Sequence, residues 1–283
     1  MISIIVCSIK PDLLKNFKAN VLETIGVPHE FIIIDNNKEQ FSICKAYNVG
    51  ATKAKYDVLA FCHEDILFHT MDWGKELFKT LNDTDIGLIG ACGAKIKPNV
   101  PAGWISVPKE FYRSNFIQSE GEKQQLNVVR DTIDDSLSDV VVVDGMFLAT
   151  TKKIWDENKF DEINFDGFHF YDQDFSMQII QKRKIVINHN ILLEHLSIGS
   201  LNLDWLKYSK IFFYKWSSKL PIYINSISDK DIDRSEYNAS YSYIFTSYKH
   251  KVKSAFLLKF INKMIYLKPL DRKTASVLKY FFK

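Results

Sequence analysis

Short apolar runs alternate with amphipathic segments through the first half of the 283-residue chain. Ile2 to Cys7 is an apolar run of strand length, Asp12 to Ile25 carries helical periodicity, and Glu30 to Ile34 is a second run ending on Asp35-Asn36-Asn37. Phe41 to Ala54 predicts a helix, Asp57 to Phe61 a third strand, Trp73 to Leu81 a helix and Ile86 to Gly90 another strand. Strands that alternate with helices build a mainly parallel sheet with helices on its faces. Pro98, Pro101, Gly103 and Pro108 then mark an irregular stretch, and residues 109–138, polar and weakly patterned, are expected to include a mobile loop over a site. Val140 to Ala149 restores the signal of a strand buried on both faces, with Asp144-Gly145 as an alternative tight turn. A helix from Phe175 to Gln181 and a strand from Lys184 to Asn188 follow. Beyond about residue 201 the pattern becomes helical and rich in Trp, Tyr and Lys, which divides the chain into an α/β domain (1–200) and a helical, basic, aromatic-rich C-terminal extension (201–283).

Composition narrows the class without fixing it. The 46% hydrophobic and 25% charged fractions are those of an ordinary globular protein. The chain opens directly on a strand rather than on a charged segment followed by an apolar one, and no apolar run reaches the length of a membrane span, so the expected location is cytoplasmic. Cys7, Cys44, Cys62 and Cys92 lie in or beside apolar segments without zinc-site spacing and are expected to be reduced core residues. The net charge of +3 hides an asymmetry: ten basic residues against one acid between Lys249 and Lys283 give +9, leaving −6 for the remainder. A basic tail interleaved with Phe, Leu, Ile and Tyr suits peripheral contact with an anionic membrane, here the inner face of the plasma membrane, better than nucleic acid, and no nucleic-acid partner is expected; the apolar tail helix Ala255 to Tyr266 also suits docking on the catalytic domain, the plainer reading, or dimerisation. An oligomer is compatible with the sequence.

Candidate chemistry concentrates at strand ends. Cys62-His63-Glu64-Asp65 follows the third strand, and the carboxyl edge of an α/β sheet is where ligands bind. Oxygen ligands there suit a hard divalent cation that clamps a diphosphate, although acids before a helix also serve as caps. Asp35 ends the second strand, where Asp-Asn-Asn equally suits an Asx turn. Trp104, in a Pro-Gly loop, offers a ring that stacks on a sugar or fills a core.

In this order the segments Ser3 to Ser8, Ile34-Asp35-Asn36-Asn37, Ala46-Tyr47-Asn48-Val49-Gly50, His63-Glu64-Asp65 with Ile66-Leu67-Phe68, Tyr171-Asp172 and Glu194-His195 resemble the family 2 glycosyltransferases of GT-A fold, and in particular a bacterial group related to a streptomycin-biosynthesis enzyme. The resemblance spans roughly residues 1–200. It implies a Rossmann-like, mixed and mainly parallel sheet flanked by helices, and an inverting, metal-assisted transfer of a sugar from a nucleoside diphosphate, a UDP-sugar, to an acceptor hydroxyl of a glycan or lipid-linked acceptor in bacterial surface glycan synthesis. Asp35 matches the acid at the uracil or ribose, and Ser8 the loop that passes the base; Asn48 and Lys53 are candidates for nucleotide contact. Asp65 matches the acid that binds Mn2+ or Mg2+, Glu64 is expected at the sugar or ribose, and His63 replaces the first acid of the family's Asp-x-Asp motif, a departure that weakens metal dependence. His195 matches a metal-completing histidine. Asp172 takes the place of the general base, with Asp174 in support or capping the next helix, and Tyr171 replaces the customary Glu. Asp144 and Gly145 are expected beside the donor sugar, and His169 beside acceptor or pyrophosphate. Two other readings stand beside this one: a sugar-phosphate nucleotidyltransferase, against which the opening strand lacks a glycine-rich phosphate loop, and a non-catalytic nucleotide- or glycan-binding protein of the same fold.

Overall fold

The computed structural model describes residues 1–224 and 227–281, which form two compact units, Met1–Gly93 with Arg113–Gly199 and Ala94–Tyr112 with Ser200–Lys283. In chain order the first unit begins β1 (Ile2–Ser8), α1 (Pro11–Thr24), β2 (His29–Asp35), α2 (Asn36–Glu39), α3 (Ile43–Lys53), β3 (Val58–Cys62), β4 (Ile66–Phe68), α4 (Trp73–Leu81), β5 (Ile86–Gly90) and β6 (Cys92–Ala94). A short strand β7 (Ile96–Lys97) belongs to the second unit. The chain then returns as β8 (Tyr112–Glu120), β9 (Lys123–Val129), β10 (Leu137–Val140), β11 (Val142–Val143), β12 (Phe147–Thr151), α5 (Lys152–Glu157), α6 (Tyr171–Ile180), β13 (Lys184–Asn188) and β14 (Leu193–His195). The second unit is completed by α7 (Leu203–Trp216), β15 (Ile222–Tyr223), α8 (Asp229–Lys249), α9 (Phe256–Leu267) and α10 (Arg272–Phe281).

The main sheet has seven strands in the order β10-β13-β5-β12-β3-β1-β2. β1 pairs in parallel with β2 and β3, and β13 with β5, whereas β12 runs antiparallel to both β3 and β5. The mixed, mainly parallel α/β sheet anticipated from the sequence is therefore present. β1 and β3 are buried almost throughout, which is why they read as unbroken apolar runs. Beneath their carboxyl ends Phe160 stacks on Phe175 at 4.2 Å and Tyr47 meets Phe61 at 5.0 Å, an aromatic floor for the residues above. A second sheet, β11-β6-β8-β14-β4 with β9 on β8, carries the later segments back to the same edge.

Three expectations are corrected or refined. Residues 109–138, weakly patterned in sequence, contain an antiparallel hairpin, β8 with β9, ahead of the irregular residues 130–136; Gly121, at φ +60°, makes the turn. Val140 to Ala149 is not one strand: the run breaks into β10, β11 and β12, and Gly145-Met146 form a turn, the alternative the Asp-Gly pair had offered. Helix α6 begins at Tyr171 instead of Phe175, so Asp172 and Asp174 lie inside its first turn, and the cap position is Phe170, at φ +64° without a side-chain cap bond. Asp174 is therefore not a cap. The four cysteines are free, three of them buried. Among the described residues no helix is long and apolar enough to cross a membrane.

Candidate active site

Parallel pairing sets Ser8 opposite Asp35 and Val6 opposite Cys62, so the ends of β2, β1 and β3 present Asp35, Ser8 and the His63–Asp65 turn along one edge. Between β1 and β2 opens a cavity of about 360 Å³ lined by Ser8, Pro11, Leu14, Ile33, Asp35 and Asn37, apolar below and polar at the rim. Asp35 stands half-exposed at that rim and pairs with Lys38 at 3.2 Å. Glu64, expected at the sugar or ribose, has its carboxylate engaged by the loop after β1. Its carboxylate, 8% exposed, accepts from the Ser8 hydroxyl at 2.5 Å, from Ile9 N at 3.2 Å and from Lys10 N at 3.0 Å, and so secures the loop that walls the cavity.

Asp65, one residue on, stays at the edge. β14 pairs with β4 so that His195 lies opposite Ile66, and Leu196 N donates to the Asp65 carbonyl at 2.9 Å. The His195 Nε2 is 3.6 Å from Asp65 Oδ1, and His63 Nδ1 is 3.9 Å from the same oxygen. The Ser197 hydroxyl donates to Asp65 Oδ2 at 2.5 Å. One donor atom each from His63, Asp65 and His195 lie within 4.8 Å of one another, an arrangement able to hold a divalent cation. Burial holds the His63 imidazole below its ordinary pKa, with His195 adding to the effect and Asp65 opposing it; a neutral ring is the form that ligates. His63 is thus part of the cluster, although its position in the sequence suggested only a lost acid. The exposed ring of Phe168 lies 5.5 Å from that of His63, at the mouth of the cluster.

Behind these groups lies the first turn of α6. Tyr171 OH donates to the Gly145 carbonyl at 3.1 Å and sits 2.7 Å from His63 Nε2. A Cβ at Gly145 would fall 2.1 Å from that hydroxyl and 3.1 Å from Asp172 Cβ, so the turn admits only glycine. Asp172 is half-buried. That burial, reinforced by the charge of Asp144, pushes its pKa up to about 7 against hydrogen bonds from backbone N–H groups, including Gln173 at 2.8 Å. Asp144 accepts from Met146 N at 3.0 Å. Asp174 is 1% exposed and accepts from the Gln178 side chain at 2.9 Å, so it supports the helix from within. His169 is half-buried beside Phe168, at a ring distance of 6.0 Å.

The site therefore gathers Ser8, Asp35, Asp65, His195, Asp144, Gly145, Asp172 and, unforeseen, His63. Asn48 is not available to a nucleotide: its amide donates to the Phe160 carbonyl at 2.8 Å and its oxygen accepts from Trp155 Nε1 and Phe160 N, both at 3.1 Å. Lys53 ends α3, eleven residues or roughly 15 Å of helix away from its N-terminus, where Ile43 N donates to Gly167. It is exposed near the opposite edge of the sheet, next to Ala54, whose carbonyl takes the Lys152 ammonium. Trp104 lies in the second unit and packs edge-on against Tyr112 at 5.3 Å.

Comparison with known proteins bears on the fold and the family. The model of a family described as "Glycosyltransferase like family" matches residues 3–216. No curated protein matches the sequence. Among solved structures, the crystal structure of GalNAc-T7 with UDP, GalNAc and Mn2+ superposes with a TM-score of 0.51 at 14% identity, over 94% of this chain and 56% of that one. The chain thus spans little more than half of that protein, and the likeness is one of fold, GT-A. With three quarters of its length inside the family model, the chain belongs to the glycosyltransferase-like family.

Proposed function

We propose that this glycosyltransferase takes its sugar from a nucleoside diphosphate, with UDP as the carrier, and passes it with inversion to an acceptor hydroxyl of a bacterial surface glycan. The observation that carries the reading is the meeting, at one sheet edge, of a nucleoside-sized cavity, a His-Asp-His cluster and a carboxyl with its pKa near 7. Asp35 and Ser8 receive the nucleoside. His63, Asp65 and His195 would hold Mn2+, which when bound neutralises the charge gathering on the departing diphosphate. Asp172 takes the proton of the acceptor hydroxyl as that oxygen bonds to the anomeric carbon from the face opposite the breaking bond to the diphosphate. Asp144 and Gly145 border the donor sugar, and Asp174 holds α6 in place. The bound GalNAc, UDP and Mn2+ of the structural neighbour support the choice of nucleotide and cation.

The basic tail fits an acceptor anchored in a membrane. Leu258, Ile265, Tyr266 and Leu270 are exposed on α9 and just beyond it, among Lys259, Lys268 and Lys273, and we assign this surface to peripheral contact with anionic lipid.

Release of UDP or GDP from a panel of nucleotide sugars, followed with Mn2+ for the unaltered protein and for Asp172→Asn, tests the reading. Turnover with a UDP-sugar that falls at least about 100-fold in the variant supports it; turnover indifferent to Asp172 removes the base assignment.

A further inference from the structure

We propose that Tyr171 and Gln118 are positioning residues that hold His63 and His195 with a bare ring nitrogen toward Asp65, making the cluster selective for a first-row transition cation over Mg2+. The proposal rests on the reading of Asp65 as the centre of the cation site and deepens it.

A neutral imidazole has one N–H and one lone pair, and only the lone pair binds a cation. The Tyr171 hydroxyl carries a single proton. The Gly145 carbonyl, 3.1 Å away, can only accept, so that proton goes to it. The phenolic oxygen then offers a lone pair to His63 Nε2 at 2.7 Å, which must be the N–H of the ring. His63 Nδ1 is left bare on the side of Asp65, 3.9 Å from Oδ1.

His195 is fixed in the opposite sense. The Gln118 amide nitrogen donates to the carbonyls of His195 at 3.1 Å and Ser197 at 2.8 Å, which turns its oxygen toward His195 Nδ1 at 3.4 Å. Nδ1 is then the N–H, and Nε2 is bare 3.6 Å from the same Asp65 oxygen. Ser197 occupies the other carboxylate oxygen, so the free one faces both rings. Outer hydrogen bonds of this kind set ligand orientation and raise basicity. Two imidazoles and one carboxylate suit first-row transition ions, whereas Mg2+ prefers oxygen ligands and keeps its water. If Tyr171 merely satisfied a buried ring nitrogen, its loss would lower stability without moving cation affinity or preference.

The test is a Mn2+ titration of the full chain with UDP, read by the electron paramagnetic resonance of free Mn2+, with Mg2+ as competitor. Unaltered protein, Asp65→Asn, Tyr171→Phe, Gln118→Leu and His63→Asp are compared, each with its thermal melt. Tyr171→Phe keeps the ring in the core. The proposal expects Mn2+ affinity to fall about 10–100-fold in Tyr171→Phe and in Gln118→Leu with metal-free UDP affinity unchanged. It also expects Mg2+ to compete poorly against the unaltered protein and better against His63→Asp. Folded Tyr171→Phe and Gln118→Leu that bind Mn2+ as the unaltered protein does, or Mg2+ that competes equally throughout, overturns it while Asp65→Asn still reports a cation site. Equal Mn2+ binding by the unaltered protein and Asp65→Asn overturns the site itself, and the proposal with it.

Discussion

The Ser8 hydroxyl donates to the Glu64 carboxylate at 2.5 Å and ties the end of β1 to the turn after β3. With two backbone N–H groups of the same loop on that carboxylate, Glu64 is a clamp on the wall of the nucleotide cavity. Truncation leaves the buried Ser8 hydroxyl and the N–H groups of Ile9 and Lys10 without their acceptor, and hydrogen bonds to a charged group are worth about 1.5–3 kcal/mol each at most. Glu64→Ala is expected to lose about 2–3 kcal/mol in urea unfolding and to weaken UDP binding, since the loop is no longer held.

Asp172 links the pH dependence of activity to that of stability. As a base it acts when deprotonated, so kcat/KM is expected to rise with pH through about 7. Asp144→Asn removes the charge that helps raise this pKa, and the rising limb should move to lower pH.

For stability the sign is opposite. Between its ordinary value of 3.8 and about 7 the folded Asp172 keeps a proton that the unfolded chain has released, so this group lowers stability as pH rises across that interval. Asp172→Asn should therefore raise the melting temperature more at pH 7.5 than at pH 4. Equal effects at both pH values would contradict the shift.

Gly145→Ala should act through Tyr171. The new methyl group overlaps the Tyr171 hydroxyl and crowds Asp172, and neither the buried ring nor the helix start can move freely. Overpacking of this kind costs about 1–3 kcal/mol. Transfer should fall much further than the melting curve suggests, because the displaced groups are those that hold His63 and carry the base.

Strands β1, β3 and β5 were legible because both of their faces are buried, so a continuous apolar run marks each one. The β8–β9 hairpin was not, since β9, Lys123 to Val129, is largely exposed and buries no apolar face. The start of α6 was hidden for another reason: Phe170 takes a left-handed conformation that no Gly or Asn announces. Within the site, Asp65, His195 and Asp172 were found by resemblance to a family. The contact of His63 with Tyr171, 108 positions apart, has no local signature. Asn48 misled because its amide is consumed by Trp155 and Phe160, more than a hundred residues later.

The tail makes its own prediction. Sedimentation with vesicles containing phosphatidylserine should capture the full chain at low salt and release it as salt rises. Replacement of Lys259, Lys268 and Lys273 by Gln, or of Tyr266 by Ser, should weaken capture without loss of UDP binding. Capture unchanged in these variants would remove the lipid assignment.

The most direct measurement is a calorimetric titration with UDP, with and without Mn2+, of the unaltered protein and of Asp65→Asn. The account predicts UDP binding that Mn2+ strengthens and that loses this dependence in the variant. Binding of UDP that is the same with and without Mn2+, or no binding at all, would contradict it.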